Sequence, residues 1–188
     1  MKLFKLDNIN VDDRYCRIDI LTYALMDLLE GNPVLPQLEP DEVLEFKMDE
    51  RRGGLELGDY VTTLTAVLPL RRACAEAIAG QFALGEHELI PIKLINAKGR
   101  VHSDDHVLLN PFGRVDCLNT ELSDMNGDPD YPLVRVMGKW CLRAKDVPAD
   151  RDLFRVVGVI GYIFSERLVE FVQAQGFTNF VFTPVTLC

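Results

Sequence analysis

The chain has 188 residues, of which 48% are hydrophobic and 26% are charged; these proportions fit one globular domain and exclude a largely disordered protein. Its 20 Lys and Arg against 29 Asp and Glu give a net charge of −9, which disfavours nucleic acid and anionic membranes as partners and favours either a basic protein partner or simply solubility. The sequence has neither an apolar run of membrane-spanning length nor a signal-peptide core, so it predicts a cytoplasmic protein.

Five cysteines are spread along the chain, and no two of them form a C-x-x-C pair. An odd number with such wide spacing is unlike the disulfide framework of a small secreted domain. We therefore expect free thiols that are mostly buried, with the exposed one at position 188. The cysteines are Cys16, Cys74, Cys117, Cys141 and Cys188.

The first predicted element is a helix from Asp13 to Glu30, in which apolar residues recur at helical spacing. Asp12 or Asp13 could cap its start, because a short acidic side chain accepts hydrogen bonds from the first turn. Gly31 would end the helix, and the Pro-rich stretch that follows, residues 32–40, would form a loop.

The middle of the chain predicts a strand, a helix and a second strand. Val43–Met48 alternates apolar and polar residues, and Leu70–Ile78 carries one apolar helical face. Glu88–Ile95 is a strand candidate whose Pro91 indicates a sheet edge or a bulge. Lys98–Asp105 is polar and contains a glycine, so we expect a loop there.

The C-terminal half predicts several further strands and a third helix that begins after Ser165 and ends near Gly176. Residues 121–132 are rich in Asp, Asn, Gly and Pro, which favours a loop. The strand candidates are Val107–Leu109, Val115–Leu118, Leu133–Leu142, Val156–Phe164 and Asn179–Val185.

Because strands outnumber helices and do not alternate strictly with them, the sequence predicts an α+β fold. We expect a single domain over residues 1–188, with a mixed or mainly antiparallel sheet and about three main helices packed against it. Residues 59–92 and 152–185 also share an order of segments, which suggests an internal duplication.

One candidate metal site is the run from His102 to His106, which contains Asp104 between the two histidines. On a helix His102 and His106 would share a face and could bind zinc, as in a metal-dependent hydrolase. The run is predicted as a loop, however, and no third ligand stands at a suitable spacing. A solvated polar loop is therefore the favoured interpretation, and we expect no metal or other cofactor.

A second candidate is the acidic stretch of residues 115–134, which contains no Lys or Arg. Its alternating oxygen side chains after Asp124 resemble a calcium loop, but Pro129 and Arg135 stand where that loop needs Gly and Glu. The stretch could instead attract a basic protein partner over a long range. Its acidic residues are Asp116, Glu121, Asp124, Asp128 and Asp130.

The sequence contains no recognisable catalytic apparatus. Ser165 precedes a helix without a G-x-S-x-G turn, so we interpret it as a helix cap. No Gly-rich nucleotide motif is present, and no cysteine has an identifiable histidine partner. We therefore predict a protein that is not an enzyme.

Several stretches of residues 55–187 resemble a bacterial protein family. Val107–Asn110, Val115–Asn119 and Ser123 match its "vlN…vDclD…S" pattern, with Asn119 in place of the second aspartate. The similarity continues at Leu70–Ile78, Ile90–Ile92, Asp152–Arg155, Phe164–Leu168 and Gly176–Val185. The family is the immunity-protein family numbered eleven of bacterial polymorphic toxin systems, originally a domain of unknown function.

The resemblance implies a protein that neutralises a cognate toxin by tight association in the producing cell, without catalytic residues of its own. The acidic charge is compatible with a basic toxin. Two alternatives remain open: a metal-dependent hydrolase that uses His102 and His106, and a non-immunity interaction or scaffold protein, which could be a homodimer.

Overall fold

A computed structural model describes residues 2–19, 24–49, 54–63, 65, 67–126, 135–136 and 138–188. Among these residues, eleven strands form two mixed sheets, two further short strands pair only with each other, and three α-helices pack with the sheets. The predicted α+β fold is therefore confirmed. No helix in the described ranges is long and apolar enough to cross a membrane.

The helices are short, and two of them follow a strand without a loop. The strands are β1 Leu3–Leu6, β2 Arg17–Asp19, β3 Leu44–Met48, β4 Thr62–Thr63, β5 Pro69–Arg71, β6 His87–Ile95, β7 Val101–Pro111, β8 Met125–Asn126, β9 Arg135–Val136, β10 Cys141–Leu142, β11 Leu153–Arg155, β12 Tyr162–Ser165 and β13 Phe182–Leu187. The α-helices are α1 Leu25–Glu30, α2 Arg72–Gln81 and α3 Glu166–Ala174, and 3-10 turns lie at Leu35–Gln37 and Ala144–Asp146.

The first sheet has the order β4-β2-β3-β6-β7-β5 and curls until its edges meet. Tyr60 forms an antiparallel bridge with Leu70, and the amide of Val61 donates a 3.1 Å hydrogen bond to the carbonyl of Pro69. Leu108 on β7 packs into one apolar cluster, whereas its neighbours Val107 and Leu109 pack into another beside α2 and α3. Strands buried on both faces lose the apolar–polar alternation of a one-sided sheet.

The second sheet has the order β10-β13-β1-β12-β11 and places the N-terminal strand between two C-terminal ones. In β1, Leu3 faces Ser165 of β12 on one side and Val185 of β13 on the other. Ser165 then caps α3, since its hydroxyl accepts a 3.3 Å hydrogen bond from the amide of Leu168. The predicted cap role of Ser165 is confirmed.

The two segments that share a sequence pattern also share an arrangement of strands. In residues 59–92, β5 leads directly into α2 and then β6, and β7 lies antiparallel between β5 and β6. In residues 152–185, β12 leads directly into α3 and then β13, and β1 lies antiparallel between β12 and β13. Both segments therefore contribute a strand–helix–strand unit around one antiparallel strand, and the internal duplication stays a prediction.

The predicted helix over Asp13–Glu30 is wrong in its first part. Arg17–Asp19 is a strand, Asp12 accepts a hydrogen bond from the amide of Arg14 in a turn, and helix α1 covers only Leu25–Glu30. Pairing of Ile18 with residues far along the chain outweighs the local helical pattern. Gly31 ends α1 in the left-handed conformation with φ 74°, as predicted.

Other strand predictions shift in position. The predicted loop at Lys98–Asp105 is wrong beyond Arg100, because β7 begins at Val101 after a turn in which Asn96 Oδ1 accepts from two amides. Pro91 lies inside a central strand, but the pairing with β3 starts only at Ile92, and a register shift follows there. A proline is tolerated at that point because no neighbouring strand needs its missing N–H.

The remaining candidates are shorter than predicted. Val115–Leu118 contains only isolated bridges, Val156–Phe164 forms a strand only from Tyr162, and the last strand runs over Phe182–Leu187. Within Leu133–Leu142, strands cover 135–136 and 141–142 in the described residues.

Candidate functional site

The acidic loop, defined as residues 115–126, is attached to the segment 138–143 by backbone hydrogen bonds. The amide of Asn119 donates to the carbonyl of Cys141 at 2.8 Å, and the amide of Asp124 donates to the carbonyl of Lys139 at 3.0 Å. The amide of Arg143 donates to the carbonyl of Cys117 at 2.7 Å. Three bonds along one short segment fix the course of the loop although it has little regular secondary structure.

Two residues of the family-like pattern stabilise this loop from within. Ser123 is buried, and its hydroxyl accepts from the amide of Cys141 at 2.9 Å while donating to the same residue's carbonyl at 3.3 Å. Asn119 Oδ1 accepts from the amides of Glu121 and Leu122 at 3.1 and 3.2 Å. Such an Asx turn needs a short side chain with an acceptor oxygen, which either Asn or Asp supplies.

Asp116 lies on the solvent side of the loop, with 78% of its side chain exposed, and pairs with Arg143 at 2.8 Å. The same guanidinium contacts Asp146 and the backbone carbonyl of Leu118. The hydrogen bonds that Arg143 donates to Asp146 and Asp116 raise its pKa, so this cation remains charged. Arg143 therefore joins the start of the loop to the segment behind it.

Asp124 contributes to the structure of the loop as well as to its charge. Its Oδ2 accepts a 2.9 Å hydrogen bond from the amide of Lys139. A Cβ at Gly138 would lie 2.6 Å from that oxygen, so the contact requires a glycine there. Glu121, in contrast, is exposed and forms no ion pair with the described residues.

The acidic window of the sequence contains no cation, but the fold pairs Arg143 from another segment with Asp116, and the backbone amide of Lys139 bonds to Asp124. Asp128 and Asp130 lie outside the described residues. Glu121 is the described carboxylate of the patch that is free of these contacts.

A second acidic stretch of the chain, residues 18–46, was not singled out from the sequence. Between Arg17 and Lys47 the chain has no Lys, Arg or His, and this region contains α1, the 3-10 turn and the start of β3. Asp27 accepts a 3.0 Å hydrogen bond from Asn32, and most of the other carboxylates are exposed. The missing cations were the signal available in the sequence. The acidic residues are Asp19, Asp27, Glu30, Glu39, Asp41, Glu42 and Glu45.

His102, Asp104 and His106 do not meet as a metal site. His106 is fully buried on β7, with Nδ1 2.9 Å from Ser103 Oγ and Nε2 3.3 Å from the carbonyl of Gly58, whereas His102 and Asp104 are exposed. Since a carbonyl only accepts, Nε2 carries the proton and Nδ1 accepts from Ser103. Burial lowers the pKa of His106.

The described residues include no group of three or more His, Cys, Asp or Glu side chains that could hold a metal ion. The bulged pairing of β7 with β6 around Ser103 explains why the two histidines differ in burial. The spacing of four positions would put both histidines on one face of a helix, but the local strand register determined the outcome.

The prediction that all five thiols are free is wrong for two of them. Cys141 and Cys188 form a disulfide with Cα atoms 6.1 Å apart. Cys16, Cys74 and Cys117 are buried thiols outside any disulfide, as predicted. Burial raises the pKa of Cys117 to about 11 and that of Cys74 further still, so neither is an activated nucleophile.

A cleft of about 500 Å³ lies at the start of α3, between Lys2, Ala83 and the loop around Arg151. Asp152 lines this cleft and accepts hydrogen bonds from the Ser165 hydroxyl at 2.6 Å and from the Arg167 guanidinium. The bond from Arg167 is the main cause that lowers the pKa of Asp152 to about 2. The carboxylate beside Ser165 is a weak base because its pKa is lowered, and the hydroxyl also caps α3, so this pair is not an activated nucleophile.

No protein-family model matches the chain, and no curated protein matches it.

Proposed function

We propose that this protein is an immunity-type binding protein, which neutralises a protein toxin by direct association and without catalysis. The proposal starts from the resemblance of residues 55–187 to the immunity family, whose pattern includes Asn110, Asp116 and Ser123. These residues support the fold and the acidic loop, which suits a protein that acts through its surface.

The observation that carries the proposal is a firmly attached loop with an outward-facing charge. The loop is fixed by Ser123 and Asn119, while Asp116 and Glu121 are exposed. A loop that is already ordered loses little conformational entropy on binding, so more of the contact energy becomes affinity. Catalysis requires a reactive group, whereas this arrangement requires only a complementary partner surface.

The chemistry of the partner follows from the charge. The net charge of −9 and the cation-free stretch between Arg17 and Lys47 favour a basic partner surface. Exposed Met26 and Leu35 lie in that same stretch, with 51% and 40% of their surfaces accessible. Apolar side chains surrounded by charge are typical of protein–protein contact regions.

The hydrolase alternative receives no support from this geometry, because His106 is buried and both of its ring nitrogens already have partners. A homodimer remains an alternative for the oligomeric state. The part of β13 that the pairing with β10 leaves uncovered, before Thr186, is a poor dimer contact, since Pro184 lies there and cannot donate a backbone hydrogen bond.

The decisive experiment is co-expression with the product of the neighbouring gene, followed by affinity purification and size-exclusion chromatography. We expect a stoichiometric complex that protects the producing cell. The double variant Asp116→Asn/Glu121→Gln should weaken it, while Glu76→Gln, an exposed acid on α2, should not. A neighbour that neither binds nor harms the cell would contradict the proposal.

A further inference from the structure

We propose that Cys141 and Cys188 are a thiol–disulfide switch that determines how firmly the acidic loop is held. This deepens the proposed function, on which its biological meaning rests. The two Cα atoms lie 6.1 Å apart, within the range of about 4.4–6.8 Å that a disulfide can bridge. The other described cysteines are single and buried.

The first step of the argument is the position of Cys141 under the loop. Its amide donates to Ser123 Oγ at 2.9 Å, and its carbonyl accepts from the amide of Asn119 at 2.8 Å and from the hydroxyl of Ser123. Both polar groups of its backbone therefore bond to the acidic loop. Any constraint on Cys141 is passed directly to the residues that order Glu121 and Asp124.

The second step is the shortness of the backbone pairing between this segment and the sheet. Strand β10 has two residues, and beside its pairing with Thr186 and Leu187 the Thr186 amide donates to Trp140, the Cys188 amide donates to Leu142 and the Ala144 amide donates to Cys188. A short edge pairing opens readily, since only a few backbone bonds must break together. The disulfide adds a covalent link that persists when those bonds open.

The third step is the chemistry. Cys188 is exposed and Cys141 is buried, so oxidised glutathione reaches Cys188 first. The Cys188 thiolate attacks one glutathione sulfur and releases one glutathione thiolate, giving a mixed disulfide. Cys141 then attacks the Cys188 sulfur and displaces the second glutathione thiolate. The two protein thiols are oxidised, one glutathione disulfide is reduced, and the two thiol protons pass to the two glutathione thiolates.

The intact protein tests the first part of the proposal. It is equilibrated in mixtures of reduced and oxidised glutathione and then denatured in N-ethylmaleimide, which alkylates every free thiol. Mass spectrometry of the intact protein then gives the number of alkylated thiols. We expect oxidation to remove two of the five alkylatable thiols, with peptide mapping assigning the loss to Cys141 and Cys188. Five labelled thiols in every mixture, or a glutathione adduct that stays on Cys188, would overturn the proposal.

Hydrogen exchange tests the second part and requires no toxin. In the oxidised protein we expect exchange about tenfold slower at the amides of Asn119, Asp124 and Cys141 than in the reduced protein. The amide of Leu109, bonded to Leu68 in the closed sheet, should be unchanged. Cys188→Ser, an exposed position, should show the faster exchange in both buffers.

Equal exchange of the loop amides in both redox states would overturn the switch even if a toxin partner is found. Conversely, a redox-dependent loop in a protein that binds no toxin would leave the switch standing and remove the immunity function. The two outcomes are therefore separable.

Discussion

Arg155 Nη2 donates a 2.7 Å hydrogen bond to the backbone carbonyl of Leu28, 127 positions away in the chain. The same guanidinium donates to the Tyr162 hydroxyl at 2.6 Å and to the carbonyl of Pro111. Arg155 is 3% exposed, and burial lowers its pKa. One buried cation thus joins α1, the end of β7 and β12, and so links the two sheets at their contact.

We expect Arg155→Met to lower the free energy of unfolding by about 3 kcal/mol, because it leaves buried acceptors without a donor. Methionine fills much of the same volume, so the loss reports mainly on hydrogen bonds. Urea denaturation measures the change, with Arg100→Met at the exposed β6–β7 turn as the control, expected within about 0.5 kcal/mol. A loss below about 1 kcal/mol would show that water replaces the guanidinium.

The residues that were predictable from sequence are those whose signal is local. Leu44–Met48 alternates in burial as its sequence alternates, Gly31 ends α1, and Ser165 caps α3. Each depends on neighbours within a few positions, which a sequence pattern records.

The errors concern residues whose partners are distant in sequence. Arg17–Asp19 is a strand because Met48 and Thr63 pair with Ile18, and no local pattern contains that information. Arg143 pairs with Asp116 across 27 positions, and Cys188 joins Cys141 across 47. The composition of the acidic window was predictable, but the arginine that the fold places against Asp116 was not.

The Asp152–Arg167 pair should make stability depend on pH in the acid range. The pKa of Asp152 falls from 3.8 to about 2, with Arg167 as the main cause and hydrogen bonds from Ser165 and Ala83 contributing. A lowered carboxyl pKa stabilises the fold above the unfolded value, so the contribution is complete above about pH 4 and is lost towards pH 2. Because 64% of the Arg167 side chain is exposed, we expect about 1–2 kcal/mol.

Urea titrations of the parent protein and Asp152→Asn at several pH values measure this contribution. The variant should be less stable at pH 6, and the two curves should converge as the pH approaches 2. Glu170→Gln removes an exposed acid on α3, the helix that contains Arg167, and this variant should show the same stability as the parent protein at every pH. A stability gap that stays constant with pH would assign the effect to packing instead of charge.

His106 should produce a separate pH dependence nearer neutrality. Burial lowers its pKa below the ordinary 6.5, so the unfolded chain binds the proton more readily than the folded one. The neutral ring is compatible with the fold above about pH 6.5, and stability declines as the pH falls below that value. Protonation would put a hydrogen on Nδ1, the second N–H of the ring, and break the bond that this nitrogen accepts from Ser103.

The measurement is the free energy of unfolding between pH 7 and pH 5 for the parent protein and for His106→Gln, which keeps an N–H donor for Gly58. We expect a weaker pH dependence in the variant. His102→Gln, an exposed control on the same strand, should retain the parental slope. If all three proteins lose stability in parallel, other groups are responsible for the titration.

Glu121→Gln tests the acidic loop by removing one charge with little change in shape. Its carboxylate is exposed and forms no ion pair with the described residues, whereas substitutions of Asp116 or Asp124 also disturb contacts with Arg143 or Lys139. For a basic partner captured as described above, we expect the association rate to fall about twofold at low salt, with little change in the dissociation rate. The difference should shrink at high salt, because exposed charges are screened within about 10 Å at 0.1 M.

Surface plasmon resonance at two ionic strengths measures both rates, with Glu76→Gln as the matched control. An association rate equal to that of the control at every salt concentration would remove Glu121 from the approach surface and direct attention to the acids between Arg17 and Lys47.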